Sequence, residues 1–449
     1  MTPPKLILVV IDGLTPAALE RALESGGAPT IARLVEAGSY RRAVSTFPSL
    51  TPVCLSSIAT GAHPDVHEIP HLVWYHRGER RLVEYGSSFG AVRAAGIGRT
   101  LRDALVNMNA RHLGARAVTL FEALEDAGHV PAAVNFTAYR GRTVHRGLPF
   151  LGRSVRGPQR FFFYNLFESD ATGAPLSWRN RAEGTVDAYA AAVGRWLVTR
   201  DGFDVLVYYL SDLDYASHEL GPDGAGEALG RADAAVGALA EAAGGLDELL
   251  SRYAVVLLSD HGQTRVERVA ALGRPYADVP GALVTASNRA GMVYRLPGCL
   301  VDARALAERL DGEPAAGIVL FREGDVAVAR REREELRFAP AVDGWRLSGD
   351  ASLLDQPDAL ARAWAALANP NAGEVLVSAA LGWEFADLGG RHHLGGGSHG
   401  SLEAGDSEVP LVTVGVEGTA AGIAGVAPLV LRHFGVPVPA YARPLTLAA

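Results

Sequence analysis

Asp214 and His218 stand four residues apart in the stretch YLSDLDYASHELGP. On a helical turn that spacing puts a carboxylate and an imidazole on one face, within reach of one ion. Asp212 competes for the same role, but only Asp214 has the four-residue spacing to His218. Asp260 and His261 are adjacent at the end of YAVVLLSDHG. Neighbouring side chains can turn toward one ligand only on irregular backbone, which a strand-to-loop junction provides. Asp12 ends the run KLILVVIDG, and His399 lies in GGGSHGS, where glycines permit close backbone approach and unusual dihedrals. Mixed aspartate and histidine donors suit zinc, with manganese or iron as alternatives.

Thr51 belongs to STFPSLTPVCLSSIATGAHPDVHEIP, after a proline-containing turn and before a helix-like stretch. A hydroxyl at a helix N-terminus sits in a positive field that favours alkoxide and phosphate alike. A threonine hydroxyl is a weak nucleophile unless a metal or base lowers its pKa. On this stretch alone, a helix N-cap is the simpler role for Thr51.

The elements that must position these residues can be read from periodicity. KLILVVIDG, FDVLVYYLSDLD and YAVVLLSDHG are apolar runs of the kind buried on both faces of a parallel sheet. TPAALERALESGGAPTIARLVEAG, VDAYAAAVGRWLVTR and GEALGRADAAVGALAEAAGGLDELLSR have helical spacing, and the last reads as one long helix. The alternation predicts an α/β fold, a doubly wound, mostly parallel sheet with helices on both faces. In such sheets the ligand crevice lies beyond the carboxyl ends of the strands. Each aspartate alone could cap a following helix. Three acidic strand ends, each accompanied by another ligand-type residue, instead predict one acidic site. From about Arg289 to Leu394 the pattern changes to short strands and turns. This predicts a core of residues 1–288 and 395–449 with a smaller α+β segment or cap, 289–394, inserted. The charge run ARREREELR within it reads as solvated surface.

Of the 449 residues, 48% are hydrophobic and 20% charged, which excludes a disordered or collagen-like chain. The net charge of −8, with Lys5 the only lysine, argues against a nucleic-acid polymer as partner. It does not exclude a small anionic substrate, because metal ions supply local positive charge. Two cysteines, Cys54 and Cys299, make no disulfide framework and fit a reducing compartment. The first apolar run is too short for a signal segment, and the best membrane-span candidate, Gly418 to Leu431, is short and contains Pro428. The expectation is a cytoplasmic protein without a membrane span; nothing in the sequence specifies its oligomeric state.

In order, VVIDGL, TFPSLTPVCLSSIATGAHPDVHEI, YLSDLDYASHELGP, LLSDHG and SHG resemble the alkaline phosphatase superfamily. The branch is that of the type I phosphodiesterases and nucleotide pyrophosphatases. Each piece is weak alone; the ordered set, over roughly residues 5 to 285 and 395 to 440, is specific. The resemblance implies two divalent metal ions, zinc first and manganese or iron as alternatives. It implies one ion on Asp12, Asp260 and His261 with Thr51 as reactive ligand, and another on Asp214, His218 and His399. Paired ions about 4 Å apart clamp the attacking and leaving oxygens of an in-line displacement. It further implies a small phosphate-ester substrate, attack by Thr51 on phosphorus, and a phospho-threonine intermediate released by water. Diesters or pyrophosphates are implied ahead of monoesters or phosphonates.

The chain departs from the branch after the nucleophile. Nucleotide pyrophosphatases follow it with Phe-Pro-Asn, whose Asn helps hold the phosphoryl oxygen; here Pro52, Val53 and Cys54 follow Thr51. A thiol is a poor donor, so another group must serve. Asn135 is a candidate, Arg140 and Arg142 could contact a substrate anion, and Trp74 or Tyr75 could stack on a substrate ring. The missing Phe leaves nucleotide specificity unindicated. CLSSI lacks the Pro and Arg of the sulfatase pattern, which excludes that branch. A phosphomutase would place a larger cap elsewhere and a serine at Thr51. An inactive binding relative would have lost a ligand, yet all are present. His63 and His67 read as hydrogen-bonded supports, and His392 or His393 as loop surface or pocket lining.

Overall fold

The computed structural model describes residues 4–146, 154–164, 167–169, 185–200 and 202–442. Its main sheet has eight strands. Their order is Ser39–Val44, Glu408–Val414, Tyr253–Leu258, Lys5–Ile11, Val205–Leu210, Pro131–Val134, Arg160–Phe163 and Phe167–Ser169. The five from Tyr253–Leu258 to Arg160–Phe163 are mutually parallel; Glu408–Val414 and Phe167–Ser169 run antiparallel to them, and Ser39–Val44 pairs antiparallel with Glu408–Val414. Lys5–Ile11 is central, with Ile11 beside Leu210 and Val10 beside Leu258.

The apolar runs are continuous because both faces are covered. Leu6, Leu8 and Val10 enter one core, shared with the helices Thr51–Thr60, Leu120–Asp126 and Val426–His433. Ile7, Val9 and Ile11 enter the other, shared with Pro16–Ser25, Pro29–Ala37, Val186–Arg200 and Gly226–Ala243. This is the doubly wound, mostly parallel α/β architecture.

The long helix expected over residues 226–252 is two helices, Gly226–Ala243 and Leu246–Arg252. Gly244 and Gly245 between them have φ of 102° and 126°, outside helical space, so the chain turns there.

A second sheet of seven antiparallel strands runs from Ala282–Ser287 through Gly344–Gly349 to Val375–Ala379. Its two faces bury separate cores, Met292, Tyr294 and Leu320 on one side, Val293, Val319 and Phe321 on the other. Its first strand precedes Arg289, and the turn at Asn288 and Arg289 leads the chain back along that strand. Within ARREREELR, Arg330 does not sit in solvent. It is 8% exposed and pairs with Asp311 at 2.6 Å, and with Glu335. The strand alternation turns it inward while Arg331 stays exposed. Among the described residues no helix is long and apolar enough to cross a membrane.

Candidate active site

Asp12 follows the central strand, Asp260 and His261 follow Tyr253–Leu258, and the helix Asp212–Leu220 follows Val205–Leu210. All three strands are parallel, so their acids emerge at one edge. Gly397–Ser398 pairs with Thr264–Arg265 and brings His399 to the same edge. Thr51 is the first residue of the helix Thr51–Thr60, which Leu50 enters in extended conformation.

Three groups converge on one ring nitrogen. His261 Nε2 lies 3.1 Å from Thr51 Oγ1, 3.2 Å from Asp12 Oδ1 and 3.5 Å from Asp260 Oδ2. Beside it, Asp214 Oδ2 is 3.3 Å from His218 Nε2, and Asp214 Oδ1 is 3.7 Å from His399 Nε2. The rings of His261 and His399 stack with centroids 3.6 Å apart. Asp212, by contrast, turns back to accept the Asp187 backbone N–H at 3.2 Å, outside this group.

Each imidazole donates its Nδ1–H to a backbone carbonyl. His261 donates to Gly262 O at 3.1 Å, His218 to Gly397 O at 2.8 Å and His399 to Ser49 O at 2.8 Å. A carbonyl only accepts, so Nδ1 carries the proton and Nε2 presents its lone pair. This is how protein orients metal-binding histidines. Asn288, from the second sheet, donates to His399 Nε2 at 3.0 Å.

The carboxylates are crowded and dry. Asp12 is 3% exposed and Asp260 fully buried. Burial, then the charges of Asp260 and Asp214, push the Asp12 carboxyl well above its ordinary range. Burial chiefly raises Asp260 too, while His261 opposes. Burial also works against the charged form of Asp214, but the imidazoles of His218, His399 and His261 hold it well below the usual carboxylate range. Asp12 Oδ1 and Asp260 Oδ2 are buried and accept no hydrogen bond from the described residues. Unpaired buried carboxylate oxygens of this kind call for cations. Two ligand sets there, Asp12 with Asp260 and His261, and Asp214 with His261 and His399, have donor atoms within 4.8 Å of one another. The donor set fits divalent ions.

The remaining sequence candidates are engaged with neighbouring protein groups. Cys54 is buried, its Sγ 3.2 Å from Ser45 Oγ, and burial pushes its thiol well up. Asn135 sits at a strand end with φ of 58°, but its Oδ1 accepts the Tyr164 N–H at 2.9 Å and its Nδ2 points to Val186 O at 3.5 Å. Its amide therefore ties neighbouring backbone together. Arg140 is committed to Glu122 at 3.1 Å, Leu113 O at 2.9 Å and Ala117 O. Arg142 pairs with Glu122 and Asp126. Trp74 is fully buried against His76 and His112, and Tyr75 packs edge-on against Tyr294. Trp74 is therefore core packing, while Tyr75 is half-buried against the second sheet. His67 Nε2 lies 3.2 Å from Ser57 Oγ, a support for the Thr51 helix. His393 stacks on His218 at 4.0 Å and pairs with Glu384 at 2.6 Å, while His392 is exposed. Of the aromatic run RFFFYNLF, Asn165 and Leu166 lie outside the described residues.

Sequence reasoning missed Tyr209 and Gln263. Tyr209 donates its hydroxyl to Asp12 Oδ2, and Gln263 donates its amide to Asp214 Oδ1. Gln263 follows SDHG by one residue, a signal available in hindsight; Tyr209 is one of two adjacent tyrosines, and only the strand's facing distinguishes them.

A carboxylate–imidazole centre at the carboxyl edge of a doubly wound sheet, with a helix-borne hydroxyl against it, is the arrangement of the alkaline phosphatase superfamily of metal-dependent phosphoester hydrolases. The profile of the type I phosphodiesterase / nucleotide pyrophosphatase family matches residues 6–402, and the chain belongs to that family. No curated protein matches at the sequence level. Among solved structures, phosphonoacetate hydrolase from Sinorhizobium meliloti, in complex with phosphonoformate, is similar at 20% identity and a TM-score of 0.63. That match covers 97% of this chain and 96% of the other. Murine ectonucleotide pyrophosphatase / phosphodiesterase 5 is similar at 14% identity, TM-score 0.61 and the same coverage, 97% and 96%. That structure is an inactive form with a threonine replaced by alanine, in complex with AMP.

Proposed function

We propose that this chain hydrolyses phosphate diesters or pyrophosphates through a covalent intermediate on Thr51. In this reading Asp12, Asp260 and His261 hold one divalent ion beside Thr51, and Asp214, His218 and His399 hold a second, with zinc the foremost candidate. The observation that carries the reading is the 3.1 Å approach of Thr51 Oγ1 to His261 Nε2, between two unpaired buried carboxylate oxygens. That an inactive form of the murine relative has a threonine changed to alanine supports the role of Thr51.

Bound ions supply the positive charge that lowers a hydroxyl pKa and neutralises phosphoryl oxygens. The Thr51 proton leaves to solvent, Oγ1 bonds to phosphorus, and the P–O bond to the leaving group breaks, the departing alkoxide or phosphate taking a proton from solvent. Water then cleaves the Oγ1–P bond, restoring the hydroxyl and releasing a phosphate monoester. The helix N-terminus adds a favourable dipole for the anion. It adds few free donors, because Pro52 lacks an N–H and those of Val53 and Cys54 go to Leu50 O at 2.9 Å. Residues 289–394, with the strand Ala282–Ser287 and the turn residue Asn288, act as a cap, and Asn288 contacts His399 of the centre at 3.0 Å. The two free, buried cysteines support a reducing, cytoplasmic setting.

A second reading, phosphonate cleavage on the same centre, is favoured by Pro52 and Val53, which put no aromatic ring beside Thr51. The likeness to phosphonoacetate hydrolase agrees with it. The test is metal analysis of the purified protein combined with turnover of bis-p-nitrophenyl phosphate, p-nitrophenyl phosphate and phosphonoacetate, with Thr51→Ala as control. About two ions per chain and diester turnover lost in the variant is the expected result. Preference for phosphonoacetate selects the second reading; no turnover of any of the three after zinc or manganese loading overturns both.

A further inference from the structure

A cavity of about 630 Å³ lies between the second sheet's segment and the core, and none of the candidate metal ligands lines it. Thr46 and His63 form its core wall; Trp345, Gln356 and Arg362 form the other, with Arg41 also contributing. Arg362, on the helix Ala359–Ala368, is only 2% exposed. It makes no ion pair among the described residues. Its guanidinium reaches Pro357 O at 3.1 Å, Leu402 O and Thr46 O at 3.5 Å, and its Nε has no partner.

The chain treats a comparable buried arginine differently. Arg289, fully buried, meets the Asp406 carboxylate at 2.7 Å. A buried guanidinium needs a counter-charge, because its desolvation is not repaid by long contacts to neutral carbonyls. The acids near Arg362 do not supply one: Asp406 is engaged with Arg289, and Asp358 is exposed to solvent. Two further groups on the cavity wall are unsatisfied. His63 Nδ1 and Gln356 Oε1 are both buried without a hydrogen-bond partner among the described residues. An amide reversed end for end would present a donor at Gln356. Among the described residues the Arg41 guanidinium hydrogen-bonds only the Thr419 hydroxyl, at 3.0 Å.

We propose that this cavity is an oxyanion site. A small molecule carrying a phosphate or carboxylate group seats its anionic head between Arg362 and His63, with its body along Trp345. The guanidinium fork matches the oxygens of either group, and a charge-assisted contact is the strong kind of hydrogen bond. Because the walls come from both the core and the second segment, the bound molecule would bridge them. Burial and the Arg362 charge push the His63 imidazole down to about 4, so without an anion it is neutral at physiological pH. An anion between the two would move it back up.

The test is calorimetric titration of the metal-loaded protein and its Arg362→Met variant with inorganic phosphate and, separately, with citrate. The His63 imidazole is followed by NMR in the wild-type protein during the same additions. Phosphate binding at the metal centre is common to both proteins, so the expected result is one additional phosphate or citrate site in wild type. That site weakens at least tenfold in Arg362→Met, about the loss of one charge-assisted contact, and its filling raises the His63 pKa. A preference between phosphate and citrate tells which oxyanion the site takes. Equal stoichiometry in the two proteins, with His63 unmoved by either anion, overturns the proposal. If Arg362→Met does not fold, the His63 titration in wild type decides alone.

Discussion

Tyr209 donates its phenolic hydroxyl to Asp12 Oδ2 from the neighbouring parallel strand, leaving Asp12 Oδ1 to face His261 at 3.2 Å. Register makes this contact: Val10 is opposite Tyr209, so the tyrosine side chain reaches past the strand end to the first loop residue. The hydroxyl is buried, and burial together with the Asp12 charge pushes its pKa well up, so it remains a donor at working pH. One carboxylate oxygen is thereby fixed and the other reserved.

Tyr209→Phe removes that donor and keeps the ring that packs against Phe136. The expected outcome is a folded protein with metal affinity lowered about 10–100-fold, the usual cost of losing a hydrogen bond behind a ligand. Competition with a chromogenic chelator measures it. Unchanged affinity would mean that Asp12 is oriented by something else.

Asp260→Asn separates stability from function. Asp12 and Asp260 are both buried and both raised in pKa, so in the metal-free protein their proximity costs free energy. Neutralising one should stabilise the metal-free protein by about 1–3 kcal/mol while abolishing metal-dependent turnover. Urea unfolding in the presence of a chelator tests the first half. A variant less stable than wild type under those conditions would show that Asp260 is better satisfied than its unpaired Oδ2 indicates.

Much of the centre was legible because parallel sheets deliver strand ends to one edge. Asp12, Asp260 and the Asp214 helix needed only three apolar runs and an acid after each. What lay outside the reading depended on long-range facing. Trp74 and Arg140 have side chains suited to ligands, yet one is sealed against His112 and the other spent on loop carbonyls. No local pattern separates those fates. The break at Gly244 and Gly245 was masked by the alanines around it, and the inward turn of Arg330 depends on a strand pairing that its own charge run conceals. The carbonyls of Gly262, Gly397 and Ser49, which set the imidazole tautomers, carry no side-chain signal at all.

Arg289 and Asp406 form a buried ion pair at 2.7 Å, and both side chains are inaccessible. Asp406 also accepts from Ser401 N–H at 2.9 Å, and the Arg289 N–H donates to His399 O at 2.8 Å. The pair thus clamps the loop that presents His399. Arg289→Met leaves a buried carboxylate without its cation and should cost about 3–5 kcal/mol. Asp406→Asn should cost less, because the amide oxygen can still accept from Ser401. Chemical denaturation of both variants checks the order; equal costs would mean that loss of the charge pair, common to both, outweighs the hydrogen bonds that the Asn amide keeps.

His67 and His71 flank the turn after the Thr51 helix, and burial pushes their imidazoles down to about 3 and about 4. His67 Nδ1 accepts from Ile69 N–H at 3.2 Å and His71 Nδ1 from Val73 N–H at 3.1 Å, contacts that require the neutral ring. The unfolded chain protonates both near pH 6.5. Between about pH 6.5 and 4 the unfolded state therefore binds protons that the folded state refuses, and stability falls as pH falls. Each ring contributes a slope of about 1.4 kcal/mol per pH unit, and the effect is absent above about pH 7. Denaturant melts at stepped pH should show this loss, and the two Cε1 proton resonances should stay at their neutral shifts down to about pH 5. Ordinary titration of both rings near pH 6.5 would contradict their role as neutral acceptors under the helix that carries Thr51.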